Sequence, residues 1–266
     1  MTAKRLKQFG IACLIQAVLL STVVNAEGSQ QWPVVSIIID DIGYHEQIDR
    51  EMVDLPGDLT FAILPGGPQA KKLATYAHLQ GKEVMLHMPM QSTLGLAAEI
   101  GVLNIDMGEA GVVNALQQAF AKVPHAIGMN NHQGSLLTRH PGHMAWVMTE
   151  LLSKGSFFVD SRTSKKSVAE QVANEVGVPV IRRDVFLDHD INEVSIHQQF
   201  NRLLSLAKKN GHAVAIGHPH PETLTVLRQM LPQLAAENIK VVPISSQIKT
   251  PNAWLSTQAA ALKLDD

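Results

Sequence analysis

Between Val34 and Pro243 short apolar runs alternate with segments of helical spacing almost without a break. The runs Val34–Ile39, Leu59–Leu64, Glu83–Met88, Ala126–Asn131, Phe157–Asp160, Val180–Arg183, His212–Gly217 and Lys240–Pro243 read as strands. Between them, Tyr44–Leu55, Gln69–Gln80, Gly108–Ala121, Pro141–Lys154, Ser167–Val176, Glu193–Asn210 and Pro221–Glu237 read as helices. Such alternation implies parallel strands with right-handed helical crossovers, hence an α/β domain built as an open doubly wound sheet or a barrel. A single glycine, Gly43, follows the first strand where a dinucleotide site needs three, so a Rossmann cofactor is disfavoured and a (β/α) barrel of about eight strands and seven helices is the better expectation. Gln91–Met107 shows no clear period and is expected as an excursion loop at the rim.

Residues 1–26 stand outside this pattern. Lys4, Arg5 and Lys7 precede an apolar segment from Phe9 to Val24, followed by Val24-Asn25-Ala26, the layout of a secretory signal cleaved after Ala26. The apolar segment is shorter than the ~20 residues of a spanning helix. Cys13, the one cysteine of the chain, lies inside it without a lipoprotein pattern, so the mature chain is expected to carry no disulfide and no thiol chemistry. Export without disulfides suits a bacterial envelope compartment, with the protein periplasmic or secreted and no membrane partner after cleavage. The expected organisation is a signal at 1–26, one domain at 27–250 and a loose tail at 251–266. Without the signal, 19 basic residues face 24 acidic ones, and the short basic clusters do not support nucleic acid as a partner.

In a parallel barrel the loops after the strands meet on one face, so the residues that terminate the strands decide the chemistry. The first strand ends in Asp40-Asp41, a pair that a strand interior would not tolerate unpaired. The third ends at His87, the fourth at Asn130-Asn131-His132 and the fifth at Asp160 with Arg162. The sixth leads through Arg183 to Asp188-His189, and the seventh ends at His218 and His220. A lone histidine at a strand end is more often structural than a ligand, and Asp160-Ser161 could cap the following helix. His45, His78, His125, His140, His143, His197 and His212 read as surface or packing residues. Several independent strand ends carrying Asp, Asn or His outweigh those readings for Asp40, Asp41, His87, His132 and His218. One carboxylate and two imidazoles are a common facial set for zinc or a similar divalent ion. A second carboxylate can take a proton from water and a histidine across the pocket can return one, which together describes a metal-assisted hydrolase. Gly134-Ser135 and Gly155-Ser156 lack the context of a nucleophile elbow, which disfavours a serine hydrolase.

The ordered segments Ile38–Gly43, Leu86–Met90, Gly128–Ser135, Phe158–Thr163 and Gly217–Thr223 resemble the divergent polysaccharide deacetylase family, a branch of the NodB-like carbohydrate esterases, over about Pro33 to Pro243. The resemblance implies a distorted NodB-like barrel, a divalent metal such as zinc, and hydrolysis of an N-acetyl or O-acetyl group on a glycan of the cell envelope, peptidoglycan or another polysaccharide. It makes Asp40 the general base, Asp41 a metal ligand and His218 the general acid; Asp160 or Asp188 is expected, from its place near a strand end, to assist His218. The wider superfamily takes both metal histidines from one His-x-x-x-His-Pro segment. Here Gln91 stands four residues after His87, so His132 is expected to supply the second imidazole. The superfamily's Arg-Pro-Pro-Tyr stretch is also missing, its place taken by Asn130-Asn131-His132, and an N–H near Gly134-Ser135 is expected to face the oxyanion. Asn130, Asn131, Ser135, Arg162, Asp188 and His220 are the expected substrate contacts. Two other readings are a barrel that binds a glycan with its metal but no longer turns it over and, ranked lower for want of basic residues at the strand ends, a phosphoester hydrolase.

Overall fold

A computed structural model describes residues 32–95 and 101–248. The signal at 1–26 and the tail at 251–266 lie outside the described residues. The elements, in chain order, are β1 (Val34–Ile42), α1 (Glu46–Val53), β2 (Thr60–Ile63), α2 (Ala70–Leu79), β3 (Glu83–Met90), α3 (Glu109–Lys122), β4 (Ala126–Gln133), α4 (Pro141–Ser153), β5 (Phe157–Asp160), α5 (Ala169–Val176), β6 (Val180–Arg182), β7 (Val185–Phe186), α6 (Glu193–Asn210), β8 (His212–Gly217), α7 (Pro221–Met230) and β9 (Lys240–Val241). All seven expected helices form. Their ends follow local chemistry: Asn192 accepts from the Ser195 N–H at the start of α6, and Gly211 takes the left-handed conformation that closes it. The expected helix to Glu237 instead gives way after Met230 to a 3₁₀ stretch at Leu231–Glu237, because Pro232 lacks the N–H that an α-helix would use.

Every strand pair is parallel, in the order β6-β5-β4-β3-β2-β1-β8-β7, and β9 adds to β1 at Val34–Val35. The sheet curls into a half-barrel whose two edges, β6 and β7, are consecutive in the chain and do not pair with each other. Only Arg183 and Asp184 lie between them. The Arg183 N–H donates to the Asp160 carbonyl on one side and the Asp184 N–H to the Val214 carbonyl on the other. The two edges are therefore bridged only by the backbone of two residues where a closed barrel would have a ladder. β7 has no counterpart in the strands expected from sequence, since a two-residue strand carries no periodic signal.

Alternation along the strands sorts the side chains. Val35, Ile37 and Ile39 of β1, Phe61 and Ile63 of β2 and Leu86, Met88 and Met90 of β3 pack outward under the helices. Ile38, Ala62, Met85, Phe157, Val159, Val214 and Ile216 fill the interior, plugged by Ile244. The interior is tight: a Cβ on Gly128 would meet the Phe157 ring at 2.3 Å. Above these apolar layers, at the C-terminal ends of the strands, the inward positions become polar, and there the site is built.

Candidate metal centre and active site

Two adjacent residues of a regular strand face opposite ways, yet Asp40 and Asp41 serve one site. A bulge makes this possible. Ile39 pairs with Phe61 and Ile42 with Ile63, three steps on β1 against two on β2, with Asp41 at φ 60°. The outward series then resumes at Ile42, which is why β1 runs beyond the carboxylates where the sequence pattern ends it at Ile39. Behind this turn, buried Asp49 of α1 accepts from the N–H groups of Gly43 (2.9 Å) and His45 (3.1 Å).

His87 on β3 and His132 on β4 turn inward toward the bulge. Asp41 Oδ1 lies 2.9 Å from His132 Nδ1 and 3.1 Å from His87 Nε2, and the two nitrogens are 3.1 Å apart. Asn130 decides what these atoms can be. Its amide nitrogen donates to Asp40 Oδ1 (2.8 Å), so its oxygen, 2.6 Å from His87 Nδ1, accepts the proton there. A neutral His87 then presents only a lone pair at Nε2. Asp41 Oδ1 is buried and receives no hydrogen bond among the described residues. With His132 Nδ1 protonated, one proton faces two lone pairs; with it unprotonated, three lone pairs face one another, and one divalent cation satisfies all three. Spacings near 3 Å are also what donor atoms about 2 Å from a shared ion adopt. The residues present therefore fit a metal. Burial alone would raise the Asp41 carboxyl, but the neighbouring His132 and His87 outweigh it and hold it below the usual carboxylate range.

Two further groups flank this triangle. Asp40 is 2 % exposed, with Oδ2 3.6 Å from His87 Nε2. Burial raises its pKa, partly offset by His87 and His218. On β8, alternation with Val214 and Ile216 turns His218 inward, and its Nε2 stands 3.9 Å from Asp41 Oδ2. Of the two acids left open as partners of His218, the structure selects Asp188, whose Oδ1 is 2.9 Å from His218 Nδ1. Burial works against the charged imidazole, but Asp188, Asp40 and Asp41 push its pKa up to about 9, while His218 in turn holds Asp188 low. Asp188, His218 and His220 also stand close enough to hold an ion. In that group the Asp188 carboxylate is already engaged, its Oδ1 with His218 Nδ1 and its Oδ2 accepting from the His218 N–H and the Thr223 hydroxyl.

The remaining expected site residues divide between cleft and scaffold. His220 borders, together with Asp41, His132 and His218, a cleft of about 1110 Å³. Asp160 lies on the same face of its strand as Phe158 and accepts from the Arg162 N–H and the Ser167 hydroxyl, so it braces its own loop and makes no bond to His218. Asn131 ties β4 to β5, accepting from the Ser161 N–H and donating to the Gln133 carbonyl. Ser135 links to Ser92 and Thr93 in the neighbouring loop. The Arg162 carbonyl accepts from Arg183. None of Asn130, Asn131, Ser135, Arg162 or Asp160 lines the cleft. Four contributors were not legible as site residues: Tyr44 and His45 in the cleft wall, buried Asp49, and Phe186, whose ring lies 5.1 Å from that of His218. Asp49 has one sequence signal, a carboxylate on the apolar face of its helix alongside Met52 and Val53.

With this geometry in place, the likeness to other proteins can be judged. The chain is 39% identical over 223 residues to the uncharacterized protein YibQ of Escherichia coli K12, covering 84% of this chain and 70% of that one. In structure it resembles the uncharacterized protein ATU2773 of Agrobacterium tumefaciens C58, with a TM-score of 0.79 and 21% identity over 82% of this chain and 90% of that one. BA3943 of Bacillus anthracis, a CE4 family pseudoenzyme, shares the fold at a TM-score of 0.52 and 13% identity, over 81% and 65% of the two chains. The profile of the divergent polysaccharide deacetylases matches residues 37–248, and the chain belongs to that family.

Proposed function

We propose that the protein is an exported, metal-dependent hydrolase that removes acetyl groups from a cell-envelope glycan. The observation that carries this reading is the convergence of Asp41 Oδ1, His87 Nε2 and His132 Nδ1 at 2.9–3.1 Å from one another at the edge of a cleft, with a second acid and a histidine beside them. A divalent ion held by these three, most simply zinc, would polarise the acetyl carbonyl and lower the pKa of water. Asp40, its pKa raised by burial, is placed to accept the proton of the attacking water, and Asn130 fixes its orientation. His218, kept protonated by Asp188, donates to the departing amine or alcohol.

A second reading keeps the metal and the glycan but drops turnover. It draws on Gln91, which stands where the superfamily places its second metal histidine and whose side chain instead accepts from the Ile105 N–H. The two readings separate in one experiment on the mature chain, stripped with chelator and reloaded with zinc, cobalt, nickel or manganese. Acetate release from peptidoglycan or chitooligosaccharides on reloading supports the hydrolase. Glycan binding with no acetate from any substrate and metal selects the binding protein, and turnover of a phosphate ester selects the phosphoesterase.

A further inference from the structure

We propose that Asp49 and Gly67 clamp the turn after β1 from two sides and thereby position Asp41 as a metal ligand; this rests on the metal-dependent reading above. Asp41 holds φ 60°, a left-handed conformation that a residue with a side chain keeps only where its surroundings impose it. Regular strand geometry would turn its carboxylate away from the face that carries His87 and His132. The loop after β2 holds the carbonyls that follow. The Ile42 carbonyl accepts from the Leu64 N–H at 2.9 Å and the Gly43 carbonyl from the Gln69 N–H at 3.0 Å. In the same loop a Cβ on Gly67 would stand 2.6 Å from the Gly43 carbonyl oxygen and 2.9 Å from Gly43 Cα. The two backbones touch there, and only a residue without a side chain admits the approach.

Asp49 holds the N–H groups of the same turn, its Oδ2 accepting from Gly43 (2.9 Å) and His45 (3.1 Å). Two features set it apart from an acid that merely starts a helix. The acid of a capping box reaches the N–H of its own N-cap, here His45, whereas the shorter Asp49 bond goes to Gly43, two residues earlier and joined through Ile42 to Asp41. Asp49 is also fully buried on the apolar face of α1 beside Met52 and Val53, a costly place for a carboxylate unless its bonds compensate. Its Oδ1 has no hydrogen-bond partner among the described residues, so one oxygen makes both bonds.

Zinc competition on the purified mature chain, with cobalt(II) absorption as the reporter of coordination geometry, tests this without any substrate. Asp49→Ala should bind zinc about 10–100-fold more weakly and alter the cobalt(II) spectrum, as loss of a group that orients a ligand does. Asp49→Asn keeps an accepting oxygen for the two N–H groups and should restore both readouts. Gly67→Ala, which pushes on Gly43 from the other side, should also weaken zinc, and it carries the test if Asp49→Ala does not fold. Gly128→Ala, whose strain lies in the apolar interior, is the reference for simple destabilisation. A merely structural Asp49 would behave like it, with lower stability in urea and unchanged zinc affinity, and that result overturns the proposal. Wild-type zinc affinity in Gly67→Ala overturns it as well. A wild type that takes up no metal overturns the metal reading and the clamp together, whereas a wild type that binds zinc no better than Asp49→Ala overturns the clamp alone.

Discussion

Asn130→Ala isolates the step of the argument on which the metal site depends. The side chain is fully buried and spans 2.8 Å to Asp40 and 2.6 Å to His87 Nδ1. Its removal leaves a buried carboxylate oxygen short of a donor and a buried imidazole N–H short of an acceptor. Each unsatisfied group costs about 1–3 kcal/mol, so the variant should lose about 2–6 kcal/mol of folding stability before any water enters the space. The His87 ring also loses the partner that fixes its tautomer, a change that typically weakens metal binding about 10–100-fold. Asn130→Asp is the informative companion. It keeps an acceptor for His87 but sets a second carboxylate against Asp40, which should raise the acid limb of the pH profile. The assays are urea unfolding of the metal-free protein and zinc competition with a chromophoric chelator. A variant Asn130→Ala that binds zinc as tightly as the wild type would refute the claim that this amide orients His87 as a ligand.

Other expectations follow from the same geometry. Asp40→Asn should retain the metal and lower kcat, whereas loss of metal with an unchanged rate would reverse the roles of Asp40 and Asp41. His87→Ala and His132→Ala should each abolish stoichiometric zinc in metal analysis. The His218 pKa is raised from 6.5 to about 9, so its pairing with Asp188 contributes stability fully below about pH 6.5 and loses it as pH rises through about 9. Asp188→Asn should accordingly destabilise the protein at pH 6 far more than at pH 10 in thermal melts, and should move the alkaline limb of activity downward. Gly128→Ala, whose new methyl would overlap Phe157, should cost about 1–3 kcal/mol in chemical unfolding without altering zinc affinity.

Much of this architecture was legible because it rests on periodic signals. Runs such as Val34–Ile39 and His212–Gly217, divided by helices of regular spacing, specify a parallel sheet, and strand-terminal Asp41, His87, His132 and His218 do converge at its C-terminal edge. What sequence patterns do not carry is local irregularity and hydrogen-bond partnership. The bulge at Asp41 depends on register against β2, which no periodicity within β1 reveals. Asp160 and Asp188 are equivalent as acids near strand ends, and only the position of β7 beside β8 gives Asp188 to His218. Asn130 and Asn131 are adjacent and alike, yet strand alternation sends one to the centre and the other to the next loop. Tyr44 and His45 lie in a turn, where no apolar pattern marks them as a cleft wall.

The central claim is that Asp41, His87 and His132 hold one divalent metal, and anomalous scattering from crystals of the zinc-loaded protein tests it most directly. The expected result is a single strong peak within about 2.0–2.2 Å of Asp41 Oδ1, His87 Nε2 and His132 Nδ1. A peak at Asp188, His218 and His220 instead, or none at the three donors under saturating zinc, would contradict it.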